Sequence, residues 1–128
     1  IHDKISIIPW SPINLVETAR NSTAAMIPID LSVPMQRLKP ENRLLMMWRL
    51  GLPCLSSASP AYIRVSDAAG VSSTCENEGV WHMKFSNILN DPEFAHEEIV
   101  RGQNYLNEYH NRSVLLDKWD LVVESVMD

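Results

Sequence analysis

No stretch of this 128-residue sequence stays apolar for the roughly 20 residues that a helix needs to cross a bilayer. Nor does it open with a charged segment followed by an apolar one, so no secretory signal is visible. Positive charge is scarce: 11 lysines and arginines stand against 16 aspartates and glutamates, a formal net charge of -5. That balance argues against a general polyanion-binding surface, and no nucleic acid is expected as a partner, although one local basic patch stays open. Together these absences make a cytoplasmic location the expectation. Cysteine occurs only at Cys54 and Cys75, each within a predicted strand. Both are expected to be buried thiols acting as small hydrophobes, since a disulfide needs an oxidising compartment for which nothing else in the sequence speaks. The histidines His2, His82, His96 and His110 are scattered and lack ligand spacing with the cysteines, so no metal site is expected. No Gly-x-Ser-x-Gly elbow is present, which removes one hydrolase signature. Internal repeats and low-complexity tracts are absent.

What remains is an ordinary globular composition, 45% apolar and 21% charged, enough for one domain with one core over residues 1–128. The first residue is Ile1 rather than Met, so the chain reads as a piece of something longer. Short apolar runs alternate with helical patterns. Lys4–Pro9 (KISIIP) is isoleucine-rich and predicts a strand. Ser11-Pro12 caps and opens a helix through about Arg20, and Ala24–Ile29 is a second, buried strand. Asp30–Lys39 has no clear period, and a connection of that length in a compact domain is often functional.

The densest instructions lie in KPENRLLMMWRLGLPCLSS, Lys39 to Ser57. Pro40 and Glu41 suit the first turn of a helix, by proline geometry and by dipole. Leu44 to Trp48 cover almost the whole circumference, which predicts a helix buried on most sides. Gly51 is placed to end it in the left-handed conformation, Pro53 prevents continuation, and Cys54–Ser57 predicts a third strand. Pro60 to about Ala68 predicts a helix ended by Gly70, and Val71–Cys75 a fourth strand. After Asn77, Trp81, Phe85 and Ile88 keep helical spacing. Two C-terminal helices follow: 92–110, behind the Asp91-Pro92-Glu93 start, and 114–126, with Ser113 as its cap. The second carries Leu115, Trp119, Val122 and Val126 on one side, while Glu97, Glu98 and Arg101 read as a solvated face with helical ion pairs.

Strands alternating with helices predict an α/β fold, a parallel sheet with helices on both faces. Ligands in such sheets bind beyond the carboxyl ends of the strands, where helix N-termini gather. A rigid helix whose first turn faces that edge can offer free amides to an anion. Trp10, at the end of the first predicted strand, is an aromatic that could stack on a base there, with core or interface packing as the alternative reading.

The order Met26-Ile27-Pro28, Asn42-Arg43-Leu44-Leu45, Gly51-Leu52-Pro53 and Ser59-Pro60-Ala61-Tyr62, followed by Asp91-Pro92, Arg101-Gly102 and Tyr109-His110, resembles the C-terminal, donor-binding half of glycosyltransferases of the GT-B type, the family one and family four groups. The resemblance spans nearly the whole chain. It implies a Rossmann-like sheet lacking its N-terminal part, a metal-independent, hexosyltransferase-like enzyme without cofactor, and a UDP- or GDP-sugar donor used in polysaccharide or glycoconjugate biosynthesis. Carried over by position, Lys39, Pro40, Glu41, Asn42, Arg43, Ser57 and Ser59 line the donor pocket. Lys39 or Arg43 would meet the diphosphate, and Glu41 and Asn42 the sugar or ribose hydroxyls. The acceptor site and catalytic base belong to an N-terminal acceptor domain of the same protein. Through it the resemblance allows peripheral membrane association, and without it the chain is expected to be inactive. The sequence departs from the family at its paired glutamates, whose positions fall on Leu38 and Met46. The family's first two strands, with their basic clamp, have no counterpart either. Lys4–Pro9 is therefore expected at the far edge of the sheet, apart from Ala24–Ile29 with an upstream segment between them, the alternative being that the two strands pair directly in a reduced sheet. The alternative reading is a non-catalytic α/β binding or scaffold module, a degenerate transferase half.

Overall fold

The computed structural model describes residues 4–127; His2 lies outside them. Its centre is a three-stranded parallel sheet in the order β1 (Ala25–Ile27), β2 (Cys54–Ser57), β3 (Thr74–Cys75). Ala25 stands opposite Cys54 and Ile27 opposite Ser56, while Ser56 and Ser57 stand opposite Thr74 and Cys75. Helix α1 (Pro12–Arg20) precedes β1, and the one-turn α2 (Pro34–Arg37) and α3 (Asn42–Arg49) lie between β1 and β2. Helix α4 (Pro60–Ala69) joins β2 to β3, followed by α5 (Glu78–Asn90), α6 (Pro92–Tyr109) and α7 (Arg112–Met127).

Three parallel strands laid side by side in chain order need two crossovers of the same hand, which puts both crossover helices on one face. The packing agrees. Leu44 and Trp48 of α3 and Tyr62 and Val65 of α4 share a core with Ile27, Cys54, Val71 and Leu106. The next residue along β2, Leu55, points the other way and packs with Cys75 and Ile88, against Val80, Trp81 and Phe85 of α5 and Phe94 of α6. Both faces are thus covered, and α6 packs against α3, α4 and α5 together. The strand-and-helix alternation is therefore met by an α/β fold.

Local chemistry explains the boundaries. Ser11, Ser59, Asn77, Asp91 and Asn111 each accept a bond from an amide in the first turn of the helix they precede. The last corrects the expected cap: α7 starts at Arg112, so Ser113 is already helical. At the end of α3, Gly51 takes φ +76°, its amide bonds the Trp48 carbonyl, and the Leu52 amide bonds Met47. This paired closure is the reason a glycine stands there.

Four further expectations fail. Pro40 and Glu41 do not form the first turn of α3, which begins at Asn42 with Glu41 at the cap position and Pro40 before it. Lys4–Pro9 forms no strand; its isoleucines lie exposed, Ile7 at 94%, and it does not occupy a sheet edge. Isoleucine's strand preference expresses packing against neighbours, and here no neighbouring strand supplies it. The fourth strand shrinks to Thr74–Cys75, because the Val71 amide closes α4 on the Ser66 carbonyl and the Ser72 amide goes to Glu98 rather than to a neighbouring strand. Glu98 is not on a solvated face: it is 5% exposed, and one carboxylate oxygen accepts the Ser72 amide at 2.7 Å. Only Glu97 and Arg101 make the expected exposed pair, at 3.0 Å.

Candidate functional site

The carboxyl edge of the sheet is where Pro28, Ala58 and Glu76 leave the strands. There Ser57, the last residue of β2, is buried, and its hydroxyl accepts the Ile29 amide at 2.8 Å. That bond ties the exits of β1 and β2 together. Ser59 is fully buried, its hydroxyl turned to the Tyr62 amide at 3.4 Å as the cap of α4. Both serines thus accept one amide within the fold, and each keeps its O–H donor and a second lone pair.

From Ile29 the chain runs into a self-braced loop. Asp30 accepts the amide and hydroxyl of Ser32 at 3.0 and 2.6 Å, and these bonds hold its carboxyl below the usual range. One helical turn later Lys39 and Pro40 lie exposed, then Glu41 precedes α3, with Asn42 and Arg43 exposed as its first two residues. The Glu41 side chain does not cap its own helix. Both of its carboxylate oxygens stand 3.2 Å from Nη2 of Arg64 on α4. The start of α3 is in this way tied to α4, and its first-turn amides are left without the side-chain cap that α4, α5, α6 and α7 possess.

The buried Tyr62 joins the two halves of this edge. Burial raises its hydroxyl pKa first, while the nearby charges of Arg43 and Glu41 pull in opposite directions. The structure therefore brings Glu41, Arg43 and Tyr62 into one neighbourhood, with Ser57 and Ser59 beneath on β2 and its exit. Arg64 escaped the sequence reading, since its partner lies 23 residues away and no local spacing links them.

The two positions where the resemblance expects glutamates, Leu38 and Met46, differ from each other. Leu38 is exposed, whereas Met46 is half-buried and lines a cleft of about 290 Å³ with Asn42, one turn earlier on α3, and with Leu106 and Leu115. Trp10 is 79% exposed and lines a separate cleft of about 320 Å³ between its own segment and α1. Cys54 and Cys75 are buried and unpaired, and burial pushes the Cys54 thiol up to about 12. Neither suits nucleophilic chemistry, which needs the thiolate. Among the described residues no group of three or more His, Cys, Asp or Glu could hold a metal ion, and no helix is long and apolar enough to cross a membrane. Family models, curated proteins and solved structures yield no match to the chain.

Proposed function

We propose that this chain is the donor-binding half of a GT-B glycosyltransferase, which moves a hexose from a UDP- or GDP-sugar to an acceptor held by an N-terminal domain of the same protein, in polysaccharide or glycoconjugate synthesis. One observation carries the reading. At the carboxyl edge of a parallel sheet, the start of α3 has no side-chain cap, and two cationic residues are close to it in sequence, the exposed Lys39 three residues before the helix and Arg43 as its second residue. Open amides at the positive end of a helix dipole, with two cations beside them, suit a diphosphate. Asn42 offers a polar side chain to ribose or sugar hydroxyls, as does Glu41 in part, since Arg64 already engages its carboxylate. The chemistry asks for no metal: the diphosphate charge is met by the amides and cations, and the transfer itself belongs to both domains together.

Met46 favours the second reading, a non-catalytic α/β module. A thioether cannot grip a ribose hydroxyl as a carboxylate would, which forgoes a charged hydrogen bond of roughly 1.5–3 kcal/mol. Titration calorimetry of the full-length protein with UDP, GDP and their sugars separates the two. The donor reading expects saturable heat with one nucleotide, weakened by Asn42→Ala or Arg43→Ala. No heat at millimolar ligand discards it. Unchanged affinity in both variants discards the site while leaving the activity open.

A further inference from the structure

Helix α7 leaves the body of the molecule after its first turn. Val114 is half-buried at its base, and every described residue from Leu115 onward is exposed. Yet the helix is not polar. Leu115, Trp119, Val122 and Val126 follow intervals of four, three and four, the spacing of a helix-pairing seam, and Leu116, Val123 and Met127 widen it on one side. Trp119 is 66% and Val126 81% exposed. Asp117, Asp120 and Glu124 fall on the outer arc, Lys118 and Ser125 on the remaining flank, and Leu121 alone of the exposed large apolar residues lies off the stripe.

We propose that this stripe is a self-association surface, on which α7 of a second copy of the chain packs antiparallel. Two arguments choose that occupant. The first is area. Seven large apolar side chains exposed to this degree present on the order of 700–800 Å², above the roughly 300–600 Å² of a monomer's largest patch and close to the ≈ 800 Å² per partner of a standard interface. The second is charge and symmetry. In an antiparallel pair Trp119 layers on Val122 and Leu115 on Val126 of the second copy. Leu116 then flanks Val123, and Lys118 flanks Ser125, so no like charges meet and every acid stays in water. Antiparallel helix dipoles also oppose each other favourably. An anionic membrane surface fits less well, since α7 carries Asp117, Asp120 and Glu124 against Arg112 and Lys118.

Sedimentation equilibrium of the 128-residue chain, from about 1 to 100 µM, tests this. The expected result is a species of twice the 14.5 kDa chain mass. Trp119→Glu with Val126→Glu should return it to the single mass with unchanged far-ultraviolet circular dichroism, while Asp120→Ala with Glu124→Ala on the outer arc should leave the dimer intact. A monomer at 100 µM overturns the proposal, as does a dimer that survives the first pair of changes. A full-length protein that stays monomeric with Trp119 shielded from quencher overturns it too, in favour of an intramolecular cover. Co-sedimentation of the wild-type chain with phosphatidylcholine–phosphatidylserine vesicles, abolished by the same pair, overturns it in favour of a membrane.

Discussion

A Cβ built on Gly102 would sit 2.6 Å from the indole ring of Trp48, so α6 crosses α3 at a point where only hydrogen fits. Trp48 is fully buried there, edge-on to Tyr105 with ring centres 6.3 Å apart, and its backbone carbonyl accepts Nε2 of Gln103 at 3.2 Å. Neither ring nor helix backbone can step aside cheaply. Gly102→Ala, which on helix propensity alone should stabilise, is expected to cost about 1–3 kcal/mol. Thermal denaturation should show a midpoint lower by roughly 5–10 °C. An unchanged or raised midpoint would mean that the two helices are not locked at this crossing.

Ser57 performs a similar service between strands. Removing its hydroxyl leaves the Ile29 amide without its partner at 2.8 Å, where the chain leaves β1 for the braced loop. Ser57→Ala should cost about 1 kcal/mol, since the half-buried amide recovers part of its hydration. Hydrogen exchange reads this directly: the Ile29 amide should lose protection while that of Ser56, bonded to the Ser73 carbonyl at 2.8 Å, keeps it.

Glu98 predicts a pH dependence of defined sign. Desolvation raises its pKa above the ordinary 4.5; the Ser72 amide, Arg101 and Lys84 oppose this, and Glu97 adds to it. One carboxylate oxygen is buried without a hydrogen bond, with Nη1 of Arg101 3.6 Å away as its ion-pair neighbour. The folded chain therefore binds a proton here more tightly than the unfolded chain does. Stability from this group is lowest at neutral pH, rises as pH falls through the raised value, and is complete below the ordinary carboxyl range. Glu98→Gln removes the titration. The difference in urea midpoint between wild type and variant, followed from pH 7 to pH 4, should move in favour of wild type as pH falls. A constant difference would show that the carboxylate is charged at no cost.

These three relationships mark what a one-dimensional reading can and cannot hold. Helix starts were legible because cap and proline are neighbours in sequence: Ser11-Pro12, Ser59-Pro60 and Asp91-Pro92 all open helices. Gly51 was legible because a positive φ before Pro53 needs a glycine. Burial is another matter, since it depends on who arrives from elsewhere. Glu98 and Glu97 look alike as text, and only the approach of Ser72 makes one a buried clamp. The Lys4–Pro9 run carries strand chemistry but cannot carry its own partner. That Lys39–Arg43 leads into a helix was readable, whereas its start at Asn42, the Arg64 tie and the use of Ser57 and Ser59 as internal acceptors required the fold.

Arg64 therefore offers a test in which stability and binding should part. Its guanidinium is largely exposed and the Glu41 carboxylate only partly so, a setting in which an ion pair is worth no more than about 1 kcal/mol. Arg64→Ala should leave the urea midpoint nearly unchanged. If the start of α3 receives the donor, the same change should weaken nucleotide-sugar binding by roughly 3–10-fold, because the turn is no longer moored to α4 and must be ordered on binding. Arg64→Lys should recover most of that affinity, since a single nitrogen, Nη2, meets both carboxylate oxygens and an ammonium with three donors can do the same. Raised salt should lower wild-type affinity towards that of Arg64→Ala. Equal affinity of wild type and Arg64→Ala at low salt would detach the Glu41 anchor from nucleotide-sugar binding and leave the uncapped start of α3 to be tested by Asn42→Ala and Arg43→Ala.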